Sequence, residues 1–252
     1  MTIATDDDVL AAEVAERAGR LLLDLRRELG FPDAKRLRDE GDRRSNQLIT
    51  GLLAEARPDD AVLSEEAVDD PRRLANRRVW IVDPLDGTRE YAEQGRTDWA
   101  VHIALWSDGD LVTGAVAMPA EGQTLVTGMA PRPRPAPAGP PRLVVSRSRP
   151  PELVGHLARR LGMELVPMGS AGAKTMAVVR GDADAYVHAG GQYEWDSAAP
   201  VAVAKSHGLH ACRIDGSELR YNRPDPLLPD LMVCRPELAA PILDALAAIG
   251  AT

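Results

Sequence analysis

Val79-Trp80-Ile81-Val82-Asp83-Pro84-Leu85-Asp86-Gly87-Thr88 is an apolar run that stops abruptly at two carboxylates, a glycine and a hydroxyl. β-Branched and aromatic residues followed by a proline read as a buried strand whose polar tip is left at the mouth of a sheet. Asp83 and Asp86, separated by a turn that Pro84 stiffens, can aim their oxygens at one centre, and Gly87 lets a ligand come close to the backbone. Two carboxylates so placed repel each other unless a cation sits between them. Hard divalent ions such as Mg²⁺ take oxygen ligands and bridge to phosphates, so the tip reads as a metal-phosphate site. Taken alone, Asp-Pro-Leu-Asp-Gly is also an ordinary turn, because each of its residues is common in turns.

The rest of the chain narrows the choice. With 252 residues, 44% of them hydrophobic, it can bury a large core as one domain or as two lobes sharing an interface. A net charge of −8 argues against a nucleic-acid polymer or a membrane surface as partner, since either would need a basic face. A small anion bridged through metal is compatible with it. Cys212 and Cys234 are too few for a disulfide framework and sit in apolar segments, which predicts reduced core thiols. The N-terminal residues lack the basic and apolar regions of an export signal, and the run from Trp99 to Trp106 is far short of the roughly 20 residues of a membrane span. A cytoplasmic location is the expectation.

In chain order, Thr5 or Asp6 can cap a helix whose apolar face runs from Val9 to Leu29 and which Gly30 and Pro32 end. Asp42 stands just before a second helix carrying Leu48, Ile49, Leu52 and Leu53, and it is a helix cap by residue type. Ala61-Val62-Leu63 is a short strand delivering Glu65 and Glu66 to a loop. Beyond the aspartates, Gly87 to Tyr91 reads as a turn entering a helix whose free N–H groups face a phosphate. Trp99 to Trp106 and Leu111 to Met118 form a hairpin around Ser107-Asp108-Gly109-Asp110, followed by a strand at Leu125 to Thr127. The proline-rich stretch 131–141 predicts an exposed connector, dividing the chain into an N-terminal lobe, 1–130, and a C-terminal lobe, 142–252.

The second half continues with a strand at Leu143-Val144-Val145 that ends in Ser146-Arg147-Ser148, then a helix from Glu152 to Leu161. Gly169-Ser170-Ala171-Gly172 opens another helix through Val179, its small residues allowing close ligand approach. Ala185 to His188 is a strand, and His188 reads as structural rather than as a catalytic base. Trp195-Asp196 opens a small-residue helix, Ala198 to Lys205, with Asp196 an N-cap by type and position. Strands at Leu209 to Ile214 and Leu231 to Val233 and a helix from Pro236 to Ile249 complete an alternation of strands and helices.

Glu65-Glu66, the stretch Trp80 to Thr88, and Trp195-Asp196-Ser197-Ala198-Ala199 together resemble both signatures of the inositol monophosphatase superfamily. The resemblance runs from the first helix to the last. It implies a layered α/β (α+β) sandwich of helices and mixed sheets. It also implies roles for matching residues: Glu65, Asp83 and the Leu85 carbonyl hold one Mg²⁺, while Asp83, Asp86 and Asp196 hold a second, Glu66 being a weaker neighbour. Thr88, paired with Asp42, would position the attacking water, and the Gly87 and Thr88 amides would receive the phosphate. A third metal beside Asp42 is left open, because Arg38-Asp39-Glu40-Gly41 lacks the threonine-rich lead-in of many relatives. The reaction implied is hydrolysis of a phosphomonoester by direct attack of water on phosphorus, with sensitivity to lithium.

Leu63 to Glu66, Gly87 to Tyr91 and Val145 to Ser148 look most like the bacterial 3′(2′),5′-bisphosphate nucleotidase branch, in particular its actinobacterial members. That branch removes the 3′-phosphate of 3′-phosphoadenosine 5′-phosphate, and its sulfated form, in sulfate assimilation. Ser146, Arg147, Gly169, Ser170 and Ala171 are then the candidate substrate contacts, Arg147 offering two donors to a second phosphate. Inositol phosphates and fructose 1,6-bisphosphate are the alternative substrates. A non-catalytic metal-binding or phosphate-binding protein of the same fold is the alternative outside enzymes. Whether the chain forms a homodimer is left open.

Overall fold

The computed structural model describes residues 5–129, 139–148 and 150–250. The sequence-predicted connector falls mostly outside the described residues, at 131–138. Strands β1 (Ala61–Ser64), β2 (Arg78–Asp86), β3 (Ala100–Ser107), β4 (Asp110–Met118) and β5 (Gln123–Val126) lie side by side in chain order. β1 runs parallel to β2 and the remaining pairs are antiparallel. The second half supplies β6 (Arg142–Ser146), β7 (Glu164–Met168), β8 (Ala185–Tyr193), β9 (His210–Cys212) and β10 (Leu227–Cys234). These form a second, mixed sheet in the order β7-β6-β8-β10-β9.

Seven α-helices cover the sheets among the described residues: α1 (Asp6–Leu29), α2 (Ala34–Ala56), α3 (Thr88–Tyr91), α4 (Glu152–Leu161), α5 (Ala171–Arg180), α6 (Glu194–Ser206) and α7 (Pro236–Ala248). α1 and α2 pack on one face of the first sheet, while α5 and α6 fill the space between its other face and the second sheet. α4 and α7 cover the outer face of the second sheet. The expected layered α/β sandwich is thus the observed architecture. Cys212 and Cys234 are both buried and free, as their apolar context predicts.

Alternation along the strands assigns side chains to layers. Trp80 and Val82 of β2 join the cluster under α1 and α2, whereas Val79 and Ile81 join the cluster under α5 and α6. In β3, Val101, Ile103 and Leu105 face α1 and α2. The opposite face of β3 carries Ala100 and Ala104 with His102 between them in the alternation, small residues that leave α5 and α6 room to come close.

Three expectations need correction. Asp42 does not precede the second helix: α2 begins at Ala34, capped by Asp33, whose carboxylate accepts the Arg36 N–H at 2.9 Å. The first turns of α2 are so heavily charged that no apolar stripe marks them. Their buried face is Leu37, Gly41 and Ser45, and a Cβ on Gly41 would come within 2.9 Å of the Tyr91 ring and 3.0 Å of Leu85. Asp196 is not an N-cap either; it lies in the first turn of α6, whose cap is Tyr193, and its Oδ2 accepts the Tyr193 N–H at 2.6 Å. The strand β7 at Glu164–Met168 was not predicted, since it lies at the sheet edge with only weak alternation.

Candidate active site

In a regular strand, residues three apart point to opposite faces. Asp83 and Asp86 nevertheless converge, because the β2–β3 register slips between Asp83↔His102 and Asp86↔Ala100. Pro84 lacks an N–H for the ladder, and the bulge at Pro84-Leu85 resets the side-chain phase. Ser45 Oγ donates to the freed Pro84 carbonyl at 2.8 Å, and the Leu85 N–H donates to Asp83 Oδ1 at 3.0 Å. α6 brings Asp196 from the other half of the chain, and ligand oxygens of Asp83, Asp86 and Asp196 all lie within 4.8 Å of one another.

Both β2 carboxylates are buried, Asp83 at 1% and Asp86 at 8% exposure, rather than lying at an exposed tip. Asp86 Oδ2 accepts the Gly172 N–H at 2.7 Å and the Ser170 hydroxyl. The imidazole of His102 is fully buried beside it. Its Nδ1 lies 3.1 Å from the Trp195 carbonyl, and its Nε2 is 3.2 Å from Asp86 Oδ2, within ion-pairing distance but off the line of a well-formed hydrogen bond. Lys174 is buried too and donates to the carbonyl of Ser170 at 2.7 Å and that of Gly169 at 3.3 Å.

Glu65 stands outside the close carboxylate trio but lines the same cavity of about 350 Å³ with Asp83, Asp86, Gly87, Thr88 and Asp196. Leu85, Arg38, Glu90 and Ser148 complete much of its wall. The Glu65 residue is solvent-accessible, yet its carboxyl is crowded on the cavity side; burial first, then the charges of Asp196 and Asp42, push it up to about 8. Asp196 is raised to about 6 by burial and Asp86, and Asp83 is raised by burial, Glu65 and Asp86. Asp86 goes the other way. Burial alone would raise it, but His102 and Lys174 hold it well below the usual carboxylate range.

Asp42, half-buried in α2, is pushed up to about 7 by burial and by Glu66. Thr88 lines the cavity, and among the described residues no hydrogen bond joins its hydroxyl to the Asp42 carboxylate. Thr88 opens α3 behind Gly87, whose φ of 83° needs a residue without a Cβ. Arg147 donates to Glu90 Oε1 at 2.8 Å and to Glu93 Oε1 at 2.7 Å, tying the end of β6 to α3. The Gly169 N–H donates to Asp98 Oδ2 at 2.6 Å. The small residues here admit side chains of the protein itself: a Cβ on Gly169 would meet Glu90 at 2.3 Å, and one on Gly172 would meet His102 at 2.1 Å.

His102, Lys174 and Asp98 escaped the sequence reading. His102 left a trace, a titratable residue interrupting an apolar strand, whereas nothing in the pattern of α5 marked Lys174. The donor set as a whole suits a hard cation: four carboxylates converge on one cavity, two neighbouring cations offset only part of their charge, and three of the four are pushed toward protonation by burial and then by their neighbours' charge.

The model of the inositol monophosphatase family matches residues 8–133 and 143–249. A 3′-phosphoadenosine 5′-phosphate phosphatase of Mycobacterium leprae is 51% identical over 249 residues, covering 94% of this chain and 92% of that protein. The protein of the same name from Mycobacterium tuberculosis is 52% identical over 238 residues, covering 91% and 89%. Among solved structures, CysQ from Bacteroides thetaiotaomicron, described as a bacterial member of the inositol monophosphatase family, superposes with a TM-score of 0.73 at 27% identity, covering 91% of this chain and 97% of that one.

Proposed function

The chain belongs to the inositol monophosphatase family, and from that membership we propose that it removes the 3′-phosphate of 3′-phosphoadenosine 5′-phosphate in a Mg²⁺-dependent reaction. The observation that carries the substrate is the 51% identity, across 94% of the chain, to a phosphatase of that name. The chemistry is supported by the carboxylates that meet at the bulged end of β2.

Glu65, Asp83, the Leu85 carbonyl, Asp86 and Asp196 would hold two Mg²⁺ ions. When bound, these supply positive charge for the phosphoryl oxygens and the leaving alkoxide and lower the pKa of an attacking water. The remaining work belongs to the chain. The Thr88 hydroxyl orients the water in line with the scissile bond, and the free N–H groups at Gly87 and Thr88 receive phosphate oxygens. His102, Ser170 and the Gly172 amide keep Asp86 ionised and fixed in direction. Water oxygen joins phosphorus as the P–O3′ bond breaks, the alcohol oxygen takes up a proton, and adenosine 5′-monophosphate and orthophosphate leave.

Phosphate release tests the reading. With Mg²⁺, 3′-phosphoadenosine 5′-phosphate is expected to exceed inositol 1-phosphate and fructose 1,6-bisphosphate in kcat/KM, with no turnover in EDTA. Asp86→Asn is expected to lower kcat by at least about 10²-fold, as for loss of a group that stabilises the transition state. Turnover in EDTA, or a parent-like Asp86→Asn enzyme, contradicts the metal chemistry; a preference for inositol 1-phosphate contradicts the substrate alone.

A further inference from the structure

Tyr193 is the exposed aromatic side chain among the described residues: 46% of it faces solvent, in a chain where aromatic residues make up only 4%. Trp195 lies against one face of its ring, with centroids 4.7 Å apart and planes 10° from parallel. Such an offset-stacked pair is held by dispersion and by quadrupole geometry, which sets the orientation of the ring against Trp195. Stacking on Trp195 accounts for the orientation of Tyr193 but not for its exposure.

Position gives the exposure a use. The Tyr193 backbone N–H donates to Asp196 Oδ2 at 2.6 Å, so the main chain that carries the ring is tied to one of the carboxylates of the phosphate site. Trp195 is anchored to the same site through its carbonyl, 3.1 Å from His102 Nδ1. The approach is built into β8. Its register with β10 slips between Leu228↔Gln192 and Asp230↔Ala189, opposite Gly190 and Gly191, whose φ values of 111° and 86° are open to glycine. After the bulge, Tyr193 pairs directly with Leu227, itself 49% exposed, which extends an apolar surface beside the ring.

We propose that Tyr193 is the stacking platform for the purine base of the substrate, with Trp195 as its backing and Leu227 beside it. The assignment rests on the nucleotide reading above. A phosphate bound among Asp83, Asp86 and Asp196 would place the ribose next to Asp196, and the base then within reach of the exposed aromatic residue three positions before it in the chain. Base–aromatic stacking tolerates any base, so the platform contributes affinity for a nucleoside over a base-free alcohol rather than selection among bases.

The experiment compares the parent, Tyr193→Ala and Tyr193→Trp on 3′-phosphoadenosine 5′-phosphate and on glycerol 2-phosphate, a phosphomonoester with no base. Tyr193→Ala should raise KM for the nucleotide about 5- to 100-fold, the range of one lost base–aromatic stack, with little change in kcat and none in KM for glycerol 2-phosphate. Tyr193→Trp should keep the parental KM. Tryptophan emission of the parent should be quenched on titration with adenosine 5′-monophosphate and not with ribose 5-phosphate, a readout that needs no variant. A parental KM in Tyr193→Ala, equal losses on both substrates, or equal quenching by both ligands overturns the platform. A parent that prefers glycerol 2-phosphate overturns the nucleotide reading itself, whereas a parent that prefers the nucleotide while Tyr193→Ala is unchanged sinks the platform alone.

Discussion

His102 Nε2, on the middle strand of the first sheet, lies 3.2 Å from Oδ2 of Asp86, the same oxygen that α5 reaches from the other side with the Ser170 hydroxyl and the Gly172 N–H. The carboxylate is therefore fixed by two layers of the fold at once. Burial alone would depress the imidazole, yet the charge of Asp86 outweighs it and keeps His102 raised.

Removing the imidazole should leave Asp86 as a buried charge short of a counter-ion. His102→Leu is expected to destabilise the fold by about 3–5 kcal/mol, the usual consequence of breaking a buried pair from one side. Urea denaturation measures it; an unchanged midpoint would show that Ser170, Gly172 and Lys174 suffice for Asp86.

The raised carboxylates predict an unusual pH dependence of stability without divalent metal. Asp42 is pushed up to about 7, Glu65 to about 8 and Asp196 to about 6, while the same groups titrate near 4 in an unfolded chain. Between about pH 4 and pH 8 the folded state then binds more protons than the unfolded state, so stability falls as pH rises and levels off above that window. Asp86 has the opposite sign, but its contribution disappears only as pH falls toward about 2, outside this range. In EDTA the melting temperature should drop from about pH 5 to about pH 8, and Mg²⁺ should remove most of the drop while releasing protons into a weak buffer. A flat melting profile in EDTA, with no proton release on adding Mg²⁺, would contradict the coupling.

Thr88 tests whether the cavity is catalytic or only binds phosphate. A hydroxyl that orients the attacking water acts in the transition state, so Thr88→Ala should lower kcat about 10²–10⁴-fold with little change in KM. Thr88 caps no helix; that position belongs to Gly87, which makes no side-chain cap. The variant should therefore melt close to the parent. Single-turnover kinetics with a near-normal chemical step would refute the role.

Arg147 is already shared between Glu90 and Glu93, so a second phosphate of the substrate would have to compete with both for the guanidinium. If it does, Arg147→Ala lowers kcat/KM for the bisphosphate about tenfold more than for a monophosphate, as expected for one charge-assisted hydrogen bond. Equal losses on the two substrates would assign Arg147 to holding α3 against β6.

By itself the sequence determined the strand that ends at Asp83-Pro84-Leu85-Asp86 and a first helix capped at Thr5 or Asp6, because each rests on contacts within a few residues: alternation, a proline without an N–H, a side chain that meets its own backbone. It also carried the family signatures, which are ordered runs of residues. Tertiary structure decided the rest. Asp42 reads as a cap from its neighbours, yet it lies inside α2 because Gly41 lets that helix approach Tyr91 and Leu85, partners far away in the chain. Asp196 reads as a cap and becomes a first-turn residue because Tyr193 takes the cap at the end of a bulged strand. His102 and Lys174 acquire their importance only when β3 and α5 close over Asp86, for burial and charge depend on distance in space, and local periodicity carries no record of which distant residues will share a cavity.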